Sequence, residues 1–314
     1  MWTTTPSIIE NERPVDRFAL HYVPQTYWRV SHAFWFWAMG IGSGIFCLRQ
    51  FFGISGGGLF LGMNAIDIVG LILVAIGGMI LILDLGKPFR FLNSFLKPRN
   101  AWISRGAISD FIFLGLVVLY VLPGLIPSLP WSDAVFSQGD TFGRMLIVMA
   151  IFFALVIMVY PGFVLYYSRN IPLWNSIFTP ILFLEYAVTG SFGLIGAMVV
   201  ANGEALPPSF YGVFLASLLI TLVSVFVYLF ERNNPGNSCI KASIGYLLKG
   251  KASGWFWFSQ IVGSLLPIIM LGMMMTKGIF PASIVILTGV CTILGSFTFR
   301  YSQLLAGLRI SPLV

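Results

Sequence analysis

The chain has 314 residues, of which 58% are hydrophobic, 16% are aromatic and only 9% are charged. This composition excludes a soluble globular domain, because several apolar runs approach the ~20 residues that a helix needs to cross a bilayer. The net charge of +7 sits in short loops between those runs, so it favours membrane orientation or an acidic partner and not nucleic acid.

The few cysteines and histidines exclude several kinds of redox centre within this chain. Cys47, Cys239 and Cys291 are isolated and form no Cys-x-x-Cys pair, so an internal iron–sulfur cluster is not expected. The two histidines are His21 and His32, and His21 lies outside the apolar runs. A haem held by two membrane histidines is therefore not expected, and we predict a chain without a metal, haem or cluster of its own.

In chain order, the sequence begins with a polar tail, residues 1–27, that lacks the basic start and apolar core of a cleaved signal peptide. Eight apolar runs follow and predict an all-α integral membrane protein with eight transmembrane helices. Residues 28–307 form this membrane domain, and 308–314 form a C-terminal tail. The predicted helices are about Trp28–Phe51, Asn64–Asp84, Ile103–Leu122, Phe142–Tyr167, Trp174–Val200, Ser209–Phe230, Trp255–Met275 and Phe280–Tyr301.

A basic loop, residues 84–105, joins the second and third predicted helices. Pro88 and Pro98 each remove a backbone donor and disfavour helix in this loop. One interpretation is a cytoplasmic loop that collects positive charge. The other is a docking surface beside a redox site, with Asp84 exchanging protons at the membrane edge. The basic residues of the loop are Lys87, Arg90, Lys97, Arg99 and Arg105.

The distribution of basic residues predicts the orientation of the helices. An even number of helices places both termini on one side, and that side holds all but three of the 18 Lys and Arg residues. The exceptions are Arg49, Arg144 and Lys277. The positive-inside rule therefore puts both termini and the basic loop in the cytoplasm, for a protein of the cytoplasmic (inner) membrane. A docking face for an acidic subunit would give the same asymmetry.

A weak internal similarity predicts two bundles of four helices each. Gly40, Gly42 and Gly44 in the first helix correspond to Gly190, Gly193 and Gly196 in the fifth. The second and sixth helices both end in an acid that a basic, proline-containing loop follows. Small residues also recur in membrane helices for packing alone, so the similarity has a second explanation.

Polar residues from several helices lie at one depth near the basic face. Ionisable groups within a membrane helix are costly and are normally functional. This cluster predicts a site for a ligand with a polar head and an apolar tail, such as a quinone. Each member also has a plainer explanation, as an interfacial, kink-forming or topological residue, the last favoured for Arg300. The residues are His32, Asp84, Arg105, Asp110, Tyr160 and Arg300.

Glu185 lies deeper, ~15 Å into the fifth helix at 1.5 Å per residue. A carboxyl group at that depth is expected to be neutral, paired or hydrated. It either relays protons towards the opposite side, where Asp67 begins the second helix, or donates a structural hydrogen bond to a neighbouring helix. Asp67 itself is equally compatible with an interfacial position.

Four segments of the chain resemble the membrane subunit of polysulfide reductase and its relatives, the NrfD-like family. The family pattern contains Asp-Leu-Gly-(Arg/Lys)-Pro-x-Arg-Phe and, later, Tyr-Pro-Gly followed by Arg-x-Pro-Leu-Trp-Asn. The resemblance extends from Trp28 to Gly307. The matching segments are ILILDLGKPFRFLN, PRNAWISRGAI, VYPGFVLYYSRNIPLWNS and ILGSFTFRYSQLLAG.

The resemblance implies an eight-helix subunit that exchanges electrons with menaquinone or another quinone and holds no cofactor of its own. Its implied partners are a ferredoxin-like iron–sulfur subunit and a molybdopterin-dependent catalytic subunit. Tyr160 occupies the position of a quinone-contacting tyrosine, whereas His32 stands where the family has an asparagine and Trp35 where it has a histidine. Polysulfide reductase carries its catalytic subunits outside the cytoplasmic membrane, opposite to the orientation that the charges predict here.

Three functional hypotheses follow. The leading one is a quinone-reactive membrane subunit, with His32, Trp35 and Tyr160 holding the headgroup and Asp84 or Asp110 exchanging its protons. The second is a secondary transporter or proton-translocating protein, suggested by Glu185, Asp110 and the internal similarity. The third is a membrane anchor without quinone chemistry.

Overall fold

The computed structural model describes residues 22–84, 101–234 and 236–310. Within this part of the chain, eight helices are long and apolar enough to cross a membrane, which confirms the predicted fold class. They are α1 (Val30–Phe52), α2 (Ala65–Asp84), α3 (Trp102–Leu125), α4 (Thr141–Tyr166), α5 (Phe178–Ala201), α6 (Pro208–Asn233), α8 (Ser253–Lys277) and α9 (Ala282–Leu305). A shorter helix, α7 (Ser238–Leu248), lies between α6 and α8.

The helices form two consecutive bundles of four. In the first bundle α1 packs against α2 and α4, and α3 packs against both of these neighbours. In the second, α9 packs against α5 and α8, while α6 packs against α5 and α8. The bundles meet where α5 contacts α1 and α4 and where α9 contacts α1. The two halves of the chain therefore repeat one arrangement, as the glycine pattern predicts.

Glycines allow the bundles to approach closely along α1 and α5. A Cβ atom on Gly44 would lie 2.2 Å from the Ser191 hydroxyl oxygen, and one on Gly190 would lie 2.8 Å from Ile41 Cδ1. Both distances are shorter than van der Waals contact, so a larger residue here would force the Ser191 or Ile41 side chain to move. Gly40, Gly44 and Gly190 therefore lie at the crossing of α1 and α5, whereas Gly42 faces α2 and Gly193 faces α9.

Three features of the fold differ from the helices that the sequence predicts. The fifth helix begins at Phe178 and not at Trp174, because Pro172–Trp174 forms a separate 3₁₀ turn. The basic loop that follows the sixth helix contains α7. The Asn237 side chain caps its first turn by accepting from the Cys239 N–H. A π turn at Ile261–Leu265 interrupts α8.

Short strands tie the predicted terminal tails to the membrane domain. β1 (Tyr22–Pro24) pairs in antiparallel fashion with β4 (Leu308–Ile310), and Gln25 donates its backbone N–H to the carbonyl of Gly307. On the other side of the bundle, β2 (Leu59–Phe60) and β3 (Met63–Asn64) form a hairpin between α1 and α2. Residues 22–24 and 308–310 are therefore part of the folded domain.

Candidate functional site

Tyr160 and Asp110 form a buried pair at the centre of the site. The Tyr160 hydroxyl donates to Asp110 Oδ2 at 3.4 Å and also lies 3.3 Å from the sulfur of Met39. Tyr160 has no solvent-exposed surface and Asp110 is 4% exposed. The pair thus joins α4, α3 and α1 inside the first bundle and supplies a hydroxyl and a carboxyl group away from water.

Local sequence around the Tyr-Pro-Gly segment explains how Tyr160 reaches this position. Pro161 lies inside α4 and leaves one backbone carbonyl without its helical donor. A Cβ atom on Gly162 would lie 2.3 Å from Pro180 Cα, so glycine is needed where α4 crosses α5. On the opposite side, a Cβ atom on Gly106 would lie 2.3 Å from the Tyr160 ring. Gly106 therefore provides the space in which the ring rests against α3.

Trp35 brings a third polar group to the same place. Its side chain is fully buried, and its ring lies almost parallel to that of Tyr160, with ring centres 6.2 Å apart. Its indole N–H has no hydrogen-bond partner within the part of the chain that the structure describes. Buried indole donors normally have an acceptor. This one is positioned to donate to a ligand oxygen.

Asp110 also connects the pair to the membrane. Its second oxygen, Oδ1, is buried and has no partner among the described residues. The side chain lines a crevice of about 230 Å³ between α2 and α3, whose other walls are apolar. Met79, Leu83 and Phe111 lie on these walls and are 62%, 65% and 53% exposed on the outer surface of the helices. An apolar molecule in the bilayer therefore has a route to a buried carboxyl group.

His32 and Asp84 extend the cluster to the edge of the membrane domain. His32 Nδ1 lies 3.6 Å from Asp84 Oδ2, and the two side chains are 21% and 28% exposed. The same nitrogen lies 3.3 Å from the backbone N–H of Arg29. The His32 ring centre is 6.4 Å from that of Trp35, so it adjoins the buried part of the site. The structure thus brings five of the predicted residues into one contiguous cluster: Asp84, His32, Trp35, Tyr160 and Asp110.

Glu185 lies outside this cluster, half-buried where α5 packs against α6. One carboxyl oxygen accepts from the Ser224 hydroxyl on α6 at 2.7 Å, and the other is buried without a partner among the described residues. Glu185 is thus hydrogen-bonded to a neighbouring helix, although it accepts from the Ser224 hydroxyl, whereas the sequence-based hypothesis had it donating. No contact within the described chain joins Glu185 to Asp67.

Asp67, near the start of α2, is buried within the protein and does not face water. It is 1% exposed, and its Oδ2 lies 2.6 Å from Arg49 Nη1. The same Arg49 nitrogen donates to the Tyr120 hydroxyl at 2.9 Å, and the Gln50 amide donates to that hydroxyl at 3.0 Å. An ion pair within a hydrogen-bonded network accounts for this buried carboxylate.

The prediction that Arg300 belongs to the docking surface is wrong, because its side chain is completely buried. Its guanidinium donates to the carbonyls of Phe183 and Ser296, each at 2.9 Å, and lies over the Phe183 ring. Arginine at a helix end was expected to face water, whereas here α9 turns it between the bundles. Arg105 lies at the surface of the domain, 4.4 Å over the Trp102 ring. The other predicted docking residues, Lys87, Arg90, Lys97 and Arg99, lie outside the described residues.

Sequence reasoning missed two residues that shape the site. Met39 contacts the Tyr160 hydroxyl, and Gly106 accommodates its ring. A methionine and a glycine carry no chemical signal in a chain rich in both, although Gly106 follows Arg105 in a segment that resembles the family. Within the described chain no group of three His, Cys, Asp or Glu side chains is arranged to hold a metal ion.

The fold and the site define a class: an eight-helix integral membrane protein whose first bundle holds a buried polar cluster open to the lipid phase. The chain matches the model of the family described as "Polysulphide reductase, NrfD" over residues 21–311, and it belongs to that family. The resemblance seen in the sequence segments is thereby confirmed. No curated protein matches the chain.

Proposed function

We propose that this protein is the quinone-reactive membrane subunit of a multi-subunit oxidoreductase. The observation that supports it best is the buried meeting of three polar groups at the end of an apolar crevice. They are the Tyr160 hydroxyl, the Asp110 carboxyl and the unpartnered Trp35 indole N–H. A quinone has complementary chemistry, because its carbonyl oxygens accept hydrogen bonds while its long chain stays among lipids. Membership of the NrfD family supports the same assignment.

The crevice between α2 and α3 would admit the headgroup from the bilayer. The Tyr160 hydroxyl and the Trp35 N–H are the donors available to a carbonyl oxygen, and both lie on rigid helices. His32, at the edge of the same cluster, would contact the headgroup or its second oxygen. A quinol supplies two electrons and two protons when it is oxidised, and a quinone accepts both when it is reduced.

The carboxyl groups of the cluster would move the protons. Asp110 holds one oxygen against Tyr160 and leaves the other free for a proton from the ligand. Asp84 and His32 lie 3.6 Å apart and are partly exposed, so they would exchange those protons with water. Proton transfer between donors and acceptors needs a separation of about 2.6–3.2 Å or one bridging water, so a water would link groups that lie farther apart.

Electrons would pass between the quinone and an iron–sulfur cluster of a ferredoxin-like partner, which in turn contacts a molybdopterin-dependent subunit. The family supports partners of this general kind. We place the docking face around Arg105 and the basic loop with Lys87, Arg90, Lys97 and Arg99. For a protein of the inner membrane, the positive-inside rule favours a cytoplasmic position for this face and for both termini.

A second candidate function is proton translocation or secondary transport. The buried, unpartnered oxygen of Glu185 and the buried Arg49–Asp67 ion pair favour it, because charged groups within a membrane domain often mark transport paths. The two functions are compatible if quinone turnover drives the movement of protons. A membrane anchor without quinone chemistry is the outcome if neither activity is found.

The deciding experiment uses the complex purified with its native partners. A quinol is added under anaerobic conditions, and reduction of the partner's iron–sulfur clusters is followed by electron paramagnetic resonance. Rapid reduction that an Asp110→Asn variant slows supports the proposal. Co-purification without quinol-driven reduction would identify an anchor, and the absence of any iron–sulfur partner would favour a transporter.

A further inference from the structure

A polar groove lies at the ends of α4 and α6, separate from the crevice that Asp110 lines. It has a volume of about 690 Å³ and lies beside the first turn of α7. Three groups that donate hydrogen bonds, the Arg169 guanidinium and the hydroxyls of Tyr166 and Tyr167, have no partner within the described chain. The residues that line the groove are Tyr166, Tyr167, Arg169, Pro172, Asn175, Arg232, Asn237 and Ile240.

The groove carries an excess of positive charge. Arg232 donates to the carbonyl of Asn175 at 3.0 Å and is paired with the carboxylate of Glu231. The second oxygen of Glu231 accepts from the Ser176 hydroxyl at 2.5 Å, so this acid is fully engaged. Arg169 is exposed, and no carboxylate among the described residues lies within ion-pair distance of it. The local charge that remains is therefore that of Arg169.

An apolar stripe leads from the groove along the outer face of α5. Ile177 is 66% exposed and Ile181 is 38% exposed, and their four-residue spacing places them on one face of the helix. α5 packs against both α4 and α6, and Ile177 follows the groove residue Asn175 by two positions, so the stripe begins beside the groove. Phe226 and Phe230 of α6 are 70% and 65% exposed on the outside of the bundle. The polar groove thus continues into a surface that faces lipid chains.

We propose that this groove binds the headgroup of an anionic glycerophospholipid. The phosphate would lie against Arg169, whose planar guanidinium matches phosphate oxygens, with the Tyr166 and Tyr167 hydroxyls as further donors. One acyl chain would lie along Ile177 and Ile181 between α4 and α6. The charge of Arg169 and the apolar stripe beside it together favour a lipid over an acidic protein segment, because a lipid has both an anionic headgroup and an apolar chain.

The test uses the full chain in nanodiscs made from phosphatidylcholine with a fifth of phosphatidylglycerol, followed by native mass spectrometry after release. Wild-type protein is expected to retain phosphatidylglycerol in preference to phosphatidylcholine. Arg169→Gln should lower that retention about fivefold, since a basic residue near an anionic surface contributes ~1 kcal/mol. Lys277→Gln is the matched control, because it removes the same charge at the far end of α8 and should leave retention unchanged.

Four results would overturn the proposal. The first two are equal retention of phosphatidylglycerol by wild type and Arg169→Gln, and a loss of phosphatidylglycerol from Lys277→Gln as large as that from Arg169→Gln. The other two are retention of phosphatidylcholine as strong as that of phosphatidylglycerol, and displacement of the lipid by millimolar inorganic phosphate. In the native complex, loss of a protein partner from Arg169→Gln with lipid retention unchanged would assign the groove to protein docking. Arg169 is exposed, and an unchanged melting temperature verifies that the variant is folded.

Discussion

Tyr160 donates its hydroxyl hydrogen bond to Asp110 across 3.4 Å, between two helices and with neither side chain open to water. The contact is long for a bond between two oxygens, whose usual separation is about 2.7–2.8 Å. A ligand oxygen that enters between or beside the two groups would therefore find a hydroxyl not strongly committed to the carboxyl group. This relationship is the basis of the first three predictions.

Tyr160→Phe removes one hydroxyl and preserves the ring that packs on Gly106. Loss of one hydrogen bond to a bound ligand costs ~0.5–1.5 kcal/mol, which corresponds to a decrease of about two- to tenfold in quinol affinity. We expect normal assembly with the partner and a raised KM for quinol in steady-state assays. Tyr301→Phe is the control, since Tyr301 stacks on Phe297 away from the site. Identical quinol kinetics in both variants and wild type would contradict the assignment of Tyr160.

Asp110→Asn keeps an acceptor for the Tyr160 hydroxyl but loses the ability to exchange a proton. Removal of a general acid or base slows a reaction by about 10²–10⁴-fold, so kcat should fall far more than quinol affinity. Stopped-flow reduction of the partner's clusters measures the first quantity, and equilibrium titration with quinol measures the second. An unchanged kcat would show that protons leave the ligand by another group, and Asp84→Asn would then be the variant to examine.

Gly106→Ala tests whether the space beside Tyr160 matters. The added methyl group would lie 2.3 Å from the tyrosine ring, so the ring or α3 must move. Overpacking of this kind costs ~1–3 kcal/mol, and we expect a lower melting temperature together with weaker quinol binding. Gly115→Ala is a matched control in the same helix, because a Cβ atom there meets nothing within 4 Å.

The two glycine variants are compared by thermal unfolding and by quinol titration. Gly115→Ala should be neutral or slightly stabilising, since alanine favours helix over glycine by up to ~1 kcal/mol. A Gly106→Ala protein that matches Gly115→Ala in both measurements would mean that Tyr160 has freedom to move, and the site geometry would then not depend on Gly106.

The position of Tyr160 and its neighbours could be anticipated from the sequence, but their contacts could not. Periodic apolar runs indicate helices, and His32, Asp110 and Tyr160 stand out because ionisable and phenolic groups are costly in a membrane. The pairing of Tyr160 with Asp110 depends on how α3 and α4 pack, and Gly106 and Met39 determine that packing without any distinctive chemistry. A single sequence therefore identifies the participants and leaves their geometry undetermined.

Arg300 shows where the prediction failed, and Asp67 shows a contact that the sequence did not reveal. Both lie near a helix end, where charged residues usually reach water, and the topological interpretation followed from that tendency. The structure instead turns Arg300 towards the Phe183 carbonyl and Asp67 towards Arg49, which lies 18 residues away in the chain. Such partners are set by the rotation of each helix about its axis. Where loops and other helices cover the helix end, hydropathy alone does not specify this rotation.

The Arg49–Asp67 ion pair makes a prediction about stability. Removing one partner leaves a buried charge without compensation and costs ~3–5 kcal/mol, so Arg49→Met and Asp67→Leu should each lower the melting temperature markedly. The double variant Arg49→Met with Asp67→Leu removes both charges and should be closer to wild type. Non-additivity measured by thermal unfolding in detergent checks this, and strictly additive losses would mean that the two residues act independently.

Glu185 carries the last prediction, which concerns coupling of quinone turnover to charge movement. Glu185→Gln retains an acceptor for the Ser224 hydroxyl but cannot carry a proton, while Ser224→Ala removes the hydrogen bond and keeps the carboxyl group. If Glu185 relays protons, the complex reconstituted in vesicles should lose its membrane-potential signal only in Glu185→Gln, with single-turnover cluster reduction unchanged. If the residue only joins α5 to α6, Ser224→Ala should lower the melting temperature and Glu185→Gln should generate an undiminished potential. Wild-type vesicles that develop no potential during turnover would likewise assign Glu185 to helix packing, because turnover then moves no charge for Glu185 to relay.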